Sequence, residues 1–114
     1  MTPRATIYAL LSVAGLVGTW FFNVEFMRGD GSFLGSGFLA GGFANPAASS
    51  FTVDLLVAFL AYLVWLFPEA KRVGVPHAWV YLLLGFFVAF AFSYPLFLFV
   101  RERALARAAA SAAA

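Results

Sequence analysis

Residues 49–68 read SSFTVDLLVAFLAYLVWLFP, with Asp54 as the only charged residue in the run. Twenty residues at about 1.5 Å each span about 30 Å, the hydrocarbon thickness of a bilayer. Backbone N–H and C=O groups find no water partner in lipid, so a run of this kind must satisfy them internally as a helix. Asn45-Pro46 precedes the run and starts the helix, because proline suits the first helical turn. Pro68 and the charged Glu69, Lys71 and Arg72 close it.

Two further runs flank it, at 5–27 and 78–100. The sequence therefore predicts an all-α integral membrane protein, with about three transmembrane helices in a small bundle and a single membrane domain over 1–114. Composition agrees: of 114 residues, 64% are hydrophobic, 19% aromatic and only 11% charged, with a mean hydropathy of +0.95. Soluble domains are about a quarter charged, and a chain this short cannot bury so much apolar surface in water. No cysteine is present, which excludes disulfides, thiolate metal sites and thiol nucleophiles. Seven scattered Lys and Arg residues are too few for nucleic-acid binding, so their value is topological.

The first run follows Arg4 and is read as a span rather than a cleaved secretory leader. Trp20, Trp65 and Trp79 with Tyr8, Tyr62, Tyr81 and Tyr94 suit the interfaces, where an amphipathic ring bridges lipid and headgroups. With three full spans, Arg4, Lys71 and Arg72 lie on one side, and Arg28, Arg101, Arg103 and Arg107 on the other. The count nearly ties. Arg4 at the start of the first helix, against an Arg28 offset by Glu25 and Asp30, favours a cytoplasmic N-terminus.

The segment 28–48, continuing to Ser50, holds six of the ten glycines together with Phe33, Leu34, Phe38, Leu39 and Phe43. It is too apolar for a free loop and too glycine-rich for a stable helix. It is expected to lie in the interface or fold back onto the bundle. Gly35-Ser36-Gly37 lacks a preceding strand and a phosphate-loop lysine, so no nucleotide site is read there. The tail 101–114 is mostly alanine.

Small residues recur at helical spacing in each run: Ser12, Gly15 and Thr19 with Asn23 in the first, Ala58 and Ala61 in line with Asp54 in the second, Gly85, Ala89 and Ser93 in the third. Small side chains let helix backbones approach closely where apolar groups gain little by leaving lipid. Phe and Leu then point outward, toward lipid, a partner subunit, or a quinone or pigment.

Counted from the ends of three full spans, Asn23, Asp54, Ser93 and Tyr94 fall at one depth and form a polar layer. Asp54 lies about 7 to 8 Å inside its helix at 1.5 Å per residue. A carboxylate there costs up to about 3 kcal/mol, so it is expected to face the bundle and have a partner. Pro95 removes a helix hydrogen bond and frees the Ala91 carbonyl, predicting a kink. The preferred reading of this layer is polar glue that sets helix register. The alternative is a proton-handling or catalytic Asp54, with Glu25 or Tyr94 as second group, acting on a lipid or isoprenoid. No metal or haem site is expected, since His77 in the second loop is the only histidine. Lys71, Arg72, Arg101 and Arg103 are read as headgroup contacts.

The ordered set Phe43-Ala44-Asn45-Pro46, Ser50-Phe51, Asp54, Glu69 with Lys71-Arg72, and Pro95-Leu96-Phe97-Leu98 through Arg101-Glu102 resembles an uncharacterised bacterial family of small membrane proteins, known only as domain of unknown function 2834. The resemblance covers Phe43 to Glu102 and implies a three-helix membrane protein with no assigned activity. The chain departs from it in a longer glycine-rich first loop and the alanine-rich tail. Together these readings predict a non-catalytic accessory subunit of a bacterial inner-membrane complex, such as a photosynthetic reaction centre with its antenna. Its expected partners are other membrane subunits and lipids. No cofactor is expected on ligating side chains, only peripheral contact with lipid, quinone or pigment. The alternative is a small membrane enzyme or lipid-binding protein built on Asp54.

Overall fold

The computed structural model describes residues 2–29 and 36–113, and every element among them is helical. The order is α1 (Pro3–Gly29), α2 (Ser36–Gly42), α3 (Pro46–Val73), α4 (Ala78–Phe87) and α5 (Phe90–Ala113). Among the described residues, α1 and α3 are the two helices long and apolar enough to cross a membrane. They contain the expected runs 5–27 and 49–68.

The expected third span, 78–100, is not one helix. It breaks at Val88-Ala89, where both amide N–H groups donate to the Leu84 carbonyl, and the chain doubles back. The Ser93 hydroxyl consequently reaches the Tyr81 carbonyl at 2.5 Å, and the Tyr81 and Phe97 rings lie 5.2 Å apart. In a continuous helix Tyr81 and Ser93 would stand about 18 Å apart.

This hairpin sets the direction of everything around it. Arg4 pairs with Glu102, Ser12 bonds the Phe92 carbonyl and Trp20 bonds the Val88 carbonyl, so α1 runs antiparallel to α5. Tyr62 meets Ser93, Trp65 meets Phe97 and Glu69 meets Arg101, so α3 runs parallel to α5. The start of α1 and the end of α3 therefore share one end of the bundle, here called the charged end. The α1–α3 connection occupies the other, the loop end. Val88 lies level with Trp20 of α1 and Phe59 with Gly85 and Phe90, which puts the hairpin tip near the midpoint of both long helices.

The core is aromatic and asymmetric. Phe59, Tyr62, Leu66 and Ala70 recur on one face of α3, and with Val75 and Phe97 they are buried. On α1 the buried residues are small: Ala5, Ser12 and Asn23. A Cβ on Gly15 would fall 2.0 Å from the Ala91 oxygen, so only glycine admits this approach. Pro95 leaves that carbonyl without a helical N–H, and α5 continues through Pro95; the sharp bend is at Val88-Ala89 instead.

The first loop partly matches expectation. Asn45 caps α3, its side chain accepting from the Ala48 amide at 2.8 Å, with Pro46 in the first turn. Contrary to expectation, the glycine-rich segment does form a helix, α2. It is held from both sides, because the Phe26 and Phe38 rings meet at 5.2 Å and the Thr52 hydroxyl donates to the Gly42 carbonyl at 2.6 Å. Asp30, Phe33, Leu34 and Gly35 lie outside the described residues. The alanine tail continues α5 as helix to Ala113, in keeping with alanine's high helix propensity.

Candidate functional site

Two clusters of polar side chains organise the bundle, and neither is the layer the spacing predicted. The first surrounds the hairpin. Tyr62 on α3 is buried; its hydroxyl lies 3.1 Å from Ser93 Oγ and 3.3 Å from the Ser93 carbonyl. Ser93 Oγ donates onward to the Tyr81 carbonyl, which leaves Tyr62 as donor. From α1, the Ser12 hydroxyl donates to the Phe92 carbonyl at 3.1 Å and the Trp20 indole N–H to the Val88 carbonyl at 2.7 Å. A helix break exposes backbone carbonyls, which are costly in an apolar medium. The Trp20 indole meets the one at Val88, while Ser12, Tyr62 and Ser93 add second bonds to carbonyls inside α4 and α5 and tie the helices around the hairpin together.

The second cluster closes the charged end. Arg72 grips Glu69 with both prongs, Nε to Oε1 at 2.7 Å and Nη2 to Oε2 at 2.9 Å, while Arg101 Nε reaches Oε2 at 2.5 Å. Arg101 also lies 3.6 Å from Glu102, and Arg4 of α1 lies 3.7 Å from Glu102. The Arg101 guanidinium carbon sits 6.0 Å from the centre of the Trp65 ring. The Glu69 side chain is only 10% exposed. A buried carboxylate needs such partners, and forked charge-assisted bonds are the strongest available. The chain of pairs ties α3 to α5 and α5 to α1.

Beside the first cluster, Ala58, Ala61, Tyr62, Trp65, Phe90 and Tyr94 line an open groove of about 410 Å³ on the outside of the α3–α5 contact. Phe90 and Tyr94 stack at 5.6 Å with an 8° interplanar angle and form one wall.

The expected residues distribute as follows. Ser12 and Gly15 do pack α1 on α5, and half-buried Thr19 returns its hydroxyl to the Gly15 carbonyl of its own helix at 2.8 Å. Gly85 receives the Phe59 ring, and Ala89 sits at the break. Ala58 and Ala61 are exposed rather than packed against a helix. The bulky Phe59 and Tyr62 take the α3 contact, leaving the two alanines as floor of the groove.

The layer of Asn23, Asp54, Ser93 and Tyr94 does not assemble. Its depth count assumed that 78–100 crosses in one helix; with the chain doubled back, Ser93 and Tyr94 lie level with Tyr62. Asp54 is eight residues earlier on α3, about 12 Å away along the axis. Asp54 is exposed and does not face the bundle, Asn23 is buried on α1, and exposed Glu25 pairs with Arg28 of its own helix at 3.8 Å. Asp54 is thus joined to neither Glu25 nor Tyr94. Of the expected headgroup contacts, Arg72 and Arg101 are engaged by Glu69, while Lys71 and Arg103 are exposed.

Glu69 as a hub, and Trp20, Tyr62, Tyr81, Glu102 and Arg4 as its counterparts and those of the hairpin, were not singled out by the sequence as a site. The Glu69 to Arg72 spacing of three was readable as a helical pair. Its pairing with Arg101, 32 residues away, needs the hairpin. No curated protein and no solved structure matches the chain. The model of a family described only as a protein of unknown function, DUF2834, matches residues 7–103, so the chain belongs to the family that the motifs around Asn45-Pro46 and Glu69 resemble.

Proposed function

We propose that the chain is a membrane-embedded accessory subunit, whose helices α1 and α3 cross the bilayer and whose α4–α5 hairpin enters it from one side and leaves by the same side. The observation that carries this reading is the division of labour among side chains. Polar groups at the hairpin and the charged end hold the helices to one another, while Leu10, Leu11, Val17, Phe21 and Phe22 on α1 and Phe51, Val57, Leu60 and Val64 on α3 point outward. Apolar area of this extent suits lipid and neighbouring membrane subunits. The groove over Tyr62, Trp65, Phe90 and Tyr94 suits a flat or chain-like apolar group, which favours a complex carrying quinone or pigment as the host assembly.

The hairpin also bears on orientation. With α5 returning to the charged end, Arg4, Lys71, Arg72, Arg101, Arg103 and Arg107 gather there and only Arg28 of the seven cations stands at the loop end. By the positive-inside rule, that end and both termini are cytoplasmic. The alternative enzyme or lipid-binding reading built on Asp54 has less support, because Asp54 stands apart from Tyr94 and Glu25.

Two experiments test the reading. Purification through a tag after mild detergent extraction is expected to yield a stoichiometric set of other membrane subunits, with quinone or pigment absorption in the same fraction. A lone chain with bound lipid would overturn it. The chain contains no cysteine, so single cysteines at Ala47 and Ala110 report orientation with an impermeant maleimide. Ala47→Cys is expected to label in intact cells and Ala110→Cys only after permeabilisation; the reverse would invert the topology.

A further inference from the structure

At the charged end, the start of α1 and the last turns of α5 form a cleft of about 490 Å³ lined by Thr2, Ala5, Glu102, Arg103, Ala106, Arg107 and Ala110. We propose that this cleft is a binding site for the phosphate headgroup of an anionic glycerophospholipid. The inference rests on the membrane reading above and adds a ligand to it.

Charge is the first argument. Arg103 and Arg107 are one helical turn apart on the same face of α5. Both are exposed, and among the described residues neither makes an ion pair; Arg103 only rests 5.9 Å from the Phe99 ring centre. The one acid in the lining, Glu102, already faces Arg4 at 3.7 Å and Arg101 at 3.6 Å, so its charge is met by cations other than Arg103 and Arg107. The cleft therefore presents two free guanidinium forks, a geometry matched to phosphate oxygens.

Depth is the second argument. The apolar run of α5 ends at Val100. Arg103 lies about 5 Å beyond it at 1.5 Å per residue, within the polar layer that adds about 5 to 8 Å to each side of the hydrocarbon, and Arg107, one turn further out, has its side chain tilted back along the helix toward that layer. The remaining walls are methyl groups, those of Ala5, Ala106 and Ala110 and the Thr2 side chain. A soluble anion has no use for such walls, whereas the glycerol and first methylenes of a lipid do. Thr2 Oγ1 accepts from the Ala5 amide at 3.1 Å, which fixes it in the cleft wall with its O–H still able to donate to a phosphate oxygen beside the arginines.

The test is lipid retention by the full chain, purified and placed in nanodiscs of equal phosphatidylglycerol and phosphatidylcholine, then released into detergent for native mass spectrometry. The expected result is one retained phosphatidylglycerol with at least tenfold preference over phosphatidylcholine, falling below twofold in R103Q/R107Q and unchanged in R28Q. Equal retention of both lipids by the wild type, or a preference that survives R103Q/R107Q, would overturn the site. Displacement of the lipid by millimolar inorganic phosphate would also overturn it, assigning the cleft to a free anion. Circular dichroism of R103Q/R107Q matching the wild type excludes misfolding as the cause of a loss. Release of the chain from membranes by alkaline carbonate would instead defeat the membrane reading on which the site rests.

Discussion

The charged end and the loop end of this bundle are built from similar apolar stretches and held by different means. At the charged end, three long elements converge and Glu69, Arg101, Glu102 and Arg4 link them by charge. At the loop end the hairpin has already turned back, so α1 and α3 continue without α5 between them, and short α2 bridges through Phe26, Phe38 and Thr52. Apolar side chains are plentiful at both ends, yet only the charged end and the mid-bundle are tightly specified. In an apolar medium, hydrophobic contact discriminates little between one helix neighbour and another. Close backbone approach and directed polar bonds decide it.

The comparison breaks most severely at Gly15. A valine there would set its Cβ 2.0 Å from the Ala91 oxygen and 2.5 Å from its carbon, both backbone atoms that cannot swing aside. G15V is expected to destabilise the fold by about 3 kcal/mol, the upper range for overpacking, read as a lower melting temperature in detergent. Gly18, one turn on, has open space within 4 Å of its Cβ position. G18V is the matched control and is expected to unfold like the wild type. Equal loss in both would mean that valine in α1, rather than the α1–α5 approach, is the cause.

Glu69 comes second. E69A leaves the Arg101 and Arg72 guanidinium groups without their shared carboxylate, and Arg101 is only 22% exposed. Removing one partner of a largely buried pair costs about 3 to 5 kcal/mol. Arg72, being 61% exposed, recovers water, which brings the expected loss to about 2 kcal/mol. The double-mutant cycle of E69A with R101A should show coupling, whereas E25A with R28A, an exposed pair at the loop end, should show almost none. Equal coupling in the two cycles would erase the contrast between the ends.

Ser93 probes the middle. S93A removes the acceptor and donor between Tyr62 and Tyr81, but the Tyr62 hydroxyl keeps the Ser93 carbonyl at 3.3 Å. The expected cost is about 1 kcal/mol, in line with inter-helix hydrogen bonds measured in membranes, seen as a modest fall in melting temperature. A loss as large as that of G15V would show that the hairpin turn depends on this bond alone.

What could be read from the sequence follows from the range of each signal. The helices over 5–27 and 49–68 were legible because apolar length is a local property, and so was the Asn45-Pro46 start. Ser12 and Gly15 were legible as packing residues from spacing alone. The hairpin was not: 78–100 has the length and apolarity of a span, and the groups that hold its doubled-back form, Trp20 at the break and Ser12 and Tyr62 along α5, come from elsewhere in the chain. That single misreading carried further. It put Arg101 and Arg103 on the wrong end, turned a six-to-one charge asymmetry into a near tie, and set Ser93 and Tyr94 beside Asp54. Ala58 and Ala61 misled for a different reason, since small residues are permissive of close packing without requiring it, and the aromatic residues next in the chain, Phe59 and Tyr62, took the contact.

Asp54 is the smallest expected effect and bears most on function. It is exposed on the loop-end half of α3, away from Tyr62, Ser93 and the Glu69 cluster. Among the described residues Asp54 pairs with nothing inside the bundle, so its exposure is the same whether α3 is packed or separated from its neighbours, and D54N is expected to shift unfolding by no more than about 0.5 kcal/mol. The same variant separates the two functional readings. An accessory subunit carrying D54N should co-purify with its host complex in wild-type amount, because neither the helix contacts nor the outward apolar faces have changed. A protein whose work depends on proton transfer at Asp54 would keep its stability and lose that work, since asparagine preserves shape and removes the titrating group. A third pattern is informative as well: unchanged stability with loss of co-purification would make Asp54 a contact for the partner, and would shift the docking surface from the groove over Tyr62 and Trp65 to the loop end of α3.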